Sequence, residues 1–296
     1  MRTCVIFNPV AKGDKARKFR AGLENLRKEC ALKSTAAAGD ARRLAAQAIE
    51  EGFELVVAAG GDGTLNEVLN GFGDAPEGFQ RACLGVLPLG TINVFARELN
   101  LPLTPDAAWA VIRRGREIRL DLPRAEFSVN GKRERRFFAQ LAGAGLDARA
   151  IELVSWSLKK KIGPLAYVVA GLKALTERQP RITASNSTSG LAGELILIGN
   201  GQRYGGNYQI QPHADLQNGR LEVCVFPRVG WTTLLRCGFP LLLRSRLPEH
   251  LVRRFAAADF TLTSDSPVSF ELDGELVGRL PVKFSVEPGA LRVLVP

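Results

Sequence analysis

The stretch Leu55-Val56-Val57-Ala58-Ala59-Gly60-Gly61-Asp62-Gly63-Thr64-Leu65-Asn66-Glu67-Val68 constrains the fold more than any other. An apolar, β-branched run meets Gly-Gly-Asp-Gly-Thr, and Leu65, Val68 and Leu69 then fall on one helical side. The pattern predicts a buried strand, a tight turn and a helix start. Glycine lets a backbone bend sharply and approach a ligand with no Cβ in the way. Free N–H groups and the dipole at a helix start favour a phosphate. Asp62 adds a carboxylate at the strand tip, suited to holding a metal–phosphate complex or to taking a proton. The plainer alternative is an ordinary turn in which Asp62 or Thr64 caps the helix. The spacing is not the dinucleotide G-x-G-x-x-G, and the Lys-Ser/Thr ending of a P-loop is missing.

The same logic recurs around this stretch. Thr3 to Phe7 reads as a buried strand, followed by the loop Asn8-Pro9-Val10-Ala11-Lys12-Gly13 and a helix with Ala16, Phe19, Leu23 and Leu26 on one face. Ala31 to Thr35 reads as a short strand, and Gly39-Asp40 opens a helix with Leu44, Ala45, Ala48 and Ile49 inward. Cys83 to Arg97 repeats strand, glycine turn (Gly90-Thr91) and helix, and a further helix ends at Gly115. Alternating strands and helices predict an α/β domain with an open, largely parallel, Rossmann-like sheet that binds ligands at the carboxyl ends of its strands.

From about Ile118 the pattern changes. Asn130-Gly131 between Ala125–Val129 and Lys132–Ala139 is a hairpin signal. Strand-like runs follow at Leu195–Ile198, Leu221–Phe226, Phe260–Thr263, Val268–Leu272 and Val282–Val286. The expected division is residues 1–118 as an α/β domain and 119–296 as a mostly antiparallel β domain, with an active site in the cleft between them. Two stretches read as helical, Ala148–Leu175 with Lys159-Lys160-Lys161, and Trp231–Phe255 with Arg244, Arg246, Arg253 and Arg254. Each mixes apolar and cationic residues, as a helix on an anionic lipid surface does. The commoner arrangement, taken here, is a helix packed on the sheet with its charges in water.

The formal net charge of +10 suits an anionic membrane surface or nucleic acid. Arginines are spread along the chain without a nucleic-acid-binding motif, so nucleic acid is not expected. Five scattered cysteines, with no C-x-x-C pair and no secretory leader before Thr3, point to a reducing cytoplasmic setting. No run approaches the ~20 apolar residues of a membrane-spanning helix.

Gly60-Gly61-Asp62-Gly63-Thr64-Leu65-Asn66-Glu67-Val68-Leu69-Asn70-Gly71 resembles the nucleotide-binding motif of the diacylglycerol kinase catalytic-domain family, which includes bacterial lipid kinases and sphingosine and ceramide kinases. NAD kinases and phosphofructokinases share the Gly-Gly-Asp-Gly core; the longer string with Asn66 and Glu67 is similar to the lipid kinases. The resemblance extends through Asn8-Pro9, Thr35, Gly90-Thr91-Ile92-Asn93-Val94-Phe95-Ala96-Arg97, Ala142 to Ala148, Gly199 to Asn207, Gly219-Arg220-Leu221 and Leu272-Asp273-Gly274-Glu275. Val94 stands where the family usually has Asp, and Asn207 where it has Gly.

The resemblance implies an ATP- and magnesium-dependent kinase acting on a lipid hydroxyl, peripheral at the inner membrane face. It implies ATP contacts at Asn8, Thr35, Gly61, Asp62, Gly63, Thr64, Leu65, Asn66, Glu67 and Thr91. It implies catalytic roles for Asp62 on the metal–phosphate group and for Asp273 or Glu275 as general base; by local sequence alone Asp273-Gly274 is a solvated hairpin turn. A structural magnesium site is implied at Asp215, Asn218 and Arg220, with Asn218 where a carboxylate is usual. An amide is the weaker ligand for a hard cation. Neither His213 nor His250 has zinc-ligand spacing. The rival readings are an NAD kinase or other soluble-substrate kinase, and a non-catalytic nucleotide- or lipid-binding regulator. An open edge strand keeps an oligomer among the expected assemblies.

Overall fold

The computed structural model describes residues 1–9, 14–154, 165–188 and 190–296. Strands β1 (Thr3–Phe7), β2 (Ala31–Ser34), β3 (Leu55–Gly60) and β4 (Cys83–Pro88) pair in parallel in the order β2-β1-β3-β4. The two central strands, β3 and β4, are apolar on both faces because helices cover both. In chain order these are α1 (Asp14–Ala21), α2 (Leu23–Leu26), α3 (Asp40–Glu50), α4 (Asp62–Asp74), α5 (Gly78–Arg81), α6 (Val94–Glu98) and α7 (Pro105–Arg114).

Ala45, Ala48, Val68, Leu69 and Phe72 pack with Val56 and Ala58 on one face, while Phe19, Ala108 and Ile112 pack with Val5, Val57 and Leu87 on the other. Helices α3 and α4 touch at Gly71, where an added Cβ would lie 2.3 Å from the Arg42 carbonyl oxygen. The strand order reverses between β1 and β3, which opens a crevice at their carboxyl ends. Asn8 and Gly61 follow those two ends.

The second half begins with β5 (Arg116–Val129) and β6 (Lys132–Phe137), joined at Asn130 (φ 51°) and Gly131 (φ 77°) in the predicted hairpin. Then come β7 (Leu141–Gly145), α8 (Leu146–Leu153), β8 (Ile182–Ser185), β9 (Gly190–Gly193), β10 (Leu195–Gly199), β11 (Arg203–Tyr204), β12 (Tyr208–Gln209) and β13 (Leu221–Phe226). The last five strands are β14 (Arg253–Ala257), β15 (Asp259–Ser264), β16 (Ser269–Leu272), β17 (Glu275–Arg279) and β18 (Val282–Val295). Antiparallel β14-β13-β10-β7-β16-β17 faces the antiparallel part of the first sheet across Phe138, Phe260, Phe270 and Phe284.

The structure is therefore the predicted α/β domain with a parallel sheet, followed by an antiparallel β sandwich. The two share one continuous sheet. β18 continues past the expected Val286, pairs with β5 as far as Val295, and meets β4 in parallel at Val293–Leu84. The expected boundary at residue 118 falls within β5.

Three helical expectations change. The first helix breaks at Gly22 into α1 and α2. The stretch 148–175 contains α8 and a helix at Leu165–Ala174; Lys159-Lys160-Lys161 lies outside the described residues. In the stretch 231–255 the α-helix covers only Trp231–Arg244 and ends at Ser245 in the left-handed region (φ 55°); a single 3-10 turn follows at Glu249–Leu251, and Phe255 belongs to β14. Pro248 blocks continuation of the helix, and pairing with β13 satisfies the backbone beyond it. Cys237 and Leu241 of this helix pack on the outer face of the sandwich, but Trp231 (53% exposed), Leu235 (73%) and Leu243 (68%) face solvent. The helix thus packs on the sheet with Arg236 in water, as expected, but it also presents large apolar side chains to solvent.

Candidate active site

The two glycine turns lock together. Leu89 and Gly90 donate their N–H groups to the Gly60 carbonyl at 2.9 and 3.2 Å. The turns pack backbone on backbone: a Cβ on Gly90 would lie 2.6 Å from the Gly61 Cα. Asn93, at φ 53°, closes the second turn by accepting from Gly90 N (3.0 Å) and donating to Gly90 O (2.7 Å).

Asp62 opens α4 and reaches across to accept the Val94 N–H at 2.8 Å, capping α6. One carboxylate therefore spans both turns. Burial and the nearby Asp273 push its pKa up. Thr64 folds its hydroxyl over Gly60, so a Cβ on Gly60 would lie 2.4 Å from Oγ1. Thr91 is exposed on the second turn, and Thr35 is held beside the end of β1 by its N–H bond to the Phe7 carbonyl at 3.0 Å. Asn8 leads from β1 towards Val10–Gly13, which lie outside the described residues.

The rest of the first motif divides its side chains. Leu65 is in the core. Glu67 turns away and accepts the N–H groups of Gly39 and Ala41, both at 2.9 Å, capping α3. Asn66 points the other way, donating to Asp273 Oδ2 at 2.8 Å and to the Phe137 carbonyl at 3.3 Å.

That contact brings the C-terminal motif to the glycine turn across 207 residues. Asp273 (φ 49°) and Gly274 (φ 87°) form the β16–β17 turn. Asp273 accepts from the N–H groups of Ala139 (2.7 Å), Gln140 (2.9 Å) and Leu141 (3.1 Å) as well as from Asn66. Burial pushes its pKa up, and these donors oppose that rise. Glu275 is exposed, and its carboxylate lies over the first turn of α4: a Cβ on Gly63 would be 2.7 Å from Glu275 Oε1. Asp273 is thus committed to backbone and amide donors, while Glu275 reaches the glycine turn from the solvent side.

The implied metal turn is closed on itself. Asp215 accepts Gln217 N at 3.0 Å, and Asn218 Oδ1 accepts Arg220 N at 2.9 Å. Arg220, whose side chain is a cation, could enter such a site only through its backbone carbonyl. Among the described residues no group of three His, Cys, Asp or Glu side chains converges to hold an ion.

Three side chains that organise the site were not singled out from the sequence. Asn70 bonds to Phe137 N and O at 3.0 and 2.9 Å, and its position four residues after Asn66 on one helix face was the available signal. Glu98 accepts from Gln202 N, Arg203 N and Gln140 Nε2, tying α6 to the loop after β10. Asp121 accepts Gly219 N (2.6 Å) and Gly289 N (2.9 Å), yet reads in the sequence as one charge in an alternating strand. Asn207, at the departure from the glycine-rich motif, accepts from Arg97 at 3.2 Å.

The sequence model of the diacylglycerol kinase catalytic domain matches residues 2–125, and that of the YegS C-terminal NAD kinase beta sandwich-like domain matches residues 140–295. A "probable lipid kinase YegS-like" protein of Pseudomonas aeruginosa strain UCBPP-PA14 is 35% identical, covering 99% of this chain and 93% of that protein. A diacylglycerol kinase of Staphylococcus saprophyticus is 31% identical over 88% of this chain and 83% of its own length. A solved structure of a diacylglycerol kinase from Bacillus anthracis superposes with a TM-score of 0.73 at 18% identity, covering 100% of this chain and 97% of that one, and shows the same fold. The likeness read from the glycine motifs is borne out along both halves of the chain, which belongs to the diacylglycerol kinase and YegS-like lipid kinase family.

Proposed function

We propose that this protein transfers the γ-phosphoryl group of ATP to a hydroxyl of a lipid such as diacylglycerol or a sphingoid lipid. The observation that carries the reading is the Glu275 carboxylate over Gly63, beside a turn built to take phosphates. Kinase-family membership implies nucleotide use and a divalent metal.

Phosphoryl transfer depends mainly on positioning and charge neutralisation. The locked turns present backbone N–H groups and the α4 dipole to the phosphates. Magnesium takes phosphate and water oxygens plus one or two carboxylates, and Asp62 is a carboxylate suited to that share. The ion would neutralise charge on the terminal phosphates. The lipid oxygen forms its bond to the γ-phosphorus as the bond to the β–γ bridging oxygen breaks, and the hydroxyl proton passes to the Glu275 carboxylate. Asp273 holds the turn that carries Glu275. We read residues 215–220 as a hydrogen-bonded turn rather than an ion site.

The exposed Trp231, Leu235 and Leu243, with Arg236 on the same helix, suit contact with an anionic bilayer at the inner membrane face. Among the described residues no helix is long and apolar enough to cross a membrane.

The test is γ-phosphate transfer from labelled ATP into a total lipid extract in anionic-lipid micelles, with and without magnesium, beside Glu275→Gln. Labelled lipid that depends on magnesium and is lost in the variant supports the reading. The match of the second half to an NAD kinase-like sandwich gives a second reading, a soluble-substrate kinase. Phosphorylation of NAD without lipid would establish it, and nucleotide binding with no turnover on either substrate would indicate a regulator.

A further inference from the structure

Glu271 stands two residues before Asp273 on β16, fully buried and without a part in the chemistry above. Its neighbour on β7 is Gly143. Two carboxyls occupy the space that a side chain at Gly143 would take. A Cβ built there would lie 2.8 Å from Glu271 Oε1 and 2.4 Å from Asp147 Oδ2. Asp147 comes from the first turn of α8, and its other oxygen accepts the Tyr204 hydroxyl. The other oxygen of Glu271 accepts the Gly274 N–H at 2.6 Å.

Two carboxyl oxygens thus converge with no donor between them, and Glu271 Oε1 has no hydrogen-bond partner unless one group carries a proton. The titratable groups acting most strongly on the pair are Tyr204 and Asp273. Two bare carboxylates in a buried space repel, so one of them stays protonated. Burial and the adjacent Asp147 push the Glu271 pKa well up, and burial raises that of Asp147.

The geometry points to a single proton shared by Asp147 and Glu271, which fixes the Glu271 carboxyl that holds Gly274 and so keeps Glu275 over Gly63. Asp147 and Glu271 are positioning residues: neither lies over the glycine turns, and both act through Gly274. Their effect on turnover rests on the kinase reading; the proton and the held turn do not. The sign follows from the raised folded values. The stabilisation is complete below the ordinary carboxyl range and is lost as pH rises through the folded pKa of the pair. Rising pH through that value therefore loosens the Glu271 carboxyl that holds Gly274.

The experiment compares the parent with Glu271→Gln and Glu271→Leu. Glutamine keeps an oxygen for Gly274 and brings an N–H donor for Asp147 that does not titrate. In the parent, infrared spectra across a pH titration keep a C=O band of protonated carboxylic acid beyond the ordinary carboxyl range, with a component that Glu271→Gln lacks. Hydrogen exchange at the Gly274 amide is about tenfold faster in Glu271→Leu and returns to within about threefold of the parent in Glu271→Gln. Rising pH accelerates that exchange beyond its intrinsic base dependence in the parent but not in the glutamine variant. Turnover follows the same order, with the KM for ATP changed by less than about twofold.

Loss of that component within the ordinary carboxyl range, or Gly274 exchange unchanged in Glu271→Leu, overturns the proposal. If the leucine variant does not fold, the band and the pH dependence in Glu271→Gln decide alone. If no form phosphorylates lipid, the kinase reading fails, while the infrared and exchange results still test the proton.

Discussion

Replacing Asp273 with alanine separates a structural carboxylate from a chemical one. Its oxygens accept three consecutive backbone N–H groups, from Ala139, Gln140 and Leu141, together with the Asn66 amide. Alanine leaves those donors without an acceptor in a buried place. Each unsatisfied buried group costs about 1–3 kcal/mol, and water entering the vacated space recovers part, so the loss is about 3–6 kcal/mol. At roughly 2 °C per kcal/mol for a chain of this size, the melting midpoint falls by about 6–12 °C. Asp273→Asn keeps one acceptor and tolerates the left-handed backbone at φ 49°, so it loses about half as much. Glu275→Gln, at an exposed position, changes the midpoint by less than about 2 °C and lowers turnover by about 10²–10⁴-fold. The assay is calorimetry on each variant beside labelled-phosphate transfer. If Asp273→Ala melts with the parent and has no activity, or Glu275→Gln keeps full turnover, the assignment of roles is wrong.

Glu67→Ala removes the acceptor for Gly39 N and Ala41 N and destabilises by about 1–2 kcal/mol, read as a lower denaturant midpoint, while ATP affinity in the folded protein is retained. Gly63→Ala places a methyl 2.7 Å from the end of the flexible Glu275 side chain; the fold accommodates it, and turnover falls at least about tenfold as the carboxylate is displaced. Leu235→Glu puts a charge on the exposed apolar face, so co-sedimentation with anionic vesicles weakens while phosphorylation of a short-chain, dispersed lipid persists.

Legibility from the sequence followed the range of the forces involved. The parallel sheet was legible because β3 and β4 are continuous apolar runs that end in glycine turns, a local pattern. The hairpin at Asn130-Gly131 was legible because only a few residues suit two successive positive φ angles. The division of labour between Asp273 and Glu275 was not, since the donors that occupy Asp273 come from residues 139–141 and from Asn66, far away in the chain. Glu67 was read as a nucleotide contact with its motif, yet its carboxylate caps α3, which the motif spacing does not reveal. The run 231–255 carried a helical pattern throughout, but tertiary pairing with β13 turned its last part into a strand.

The path of β18 also bears on how the protein is made. Leu291 and Val293 pack into the core of the α/β domain, and Leu294 into its opposite face. A ribosome therefore delivers β1 to β4 long before the segment that closes their sheet beside β4. During synthesis that edge stays unpaired while some two hundred further residues are added. The first domain's core is therefore completed only when β18 arrives. Deleting residues 290–296 would accordingly damage the α/β half, distant in the chain, more than the sandwich they follow.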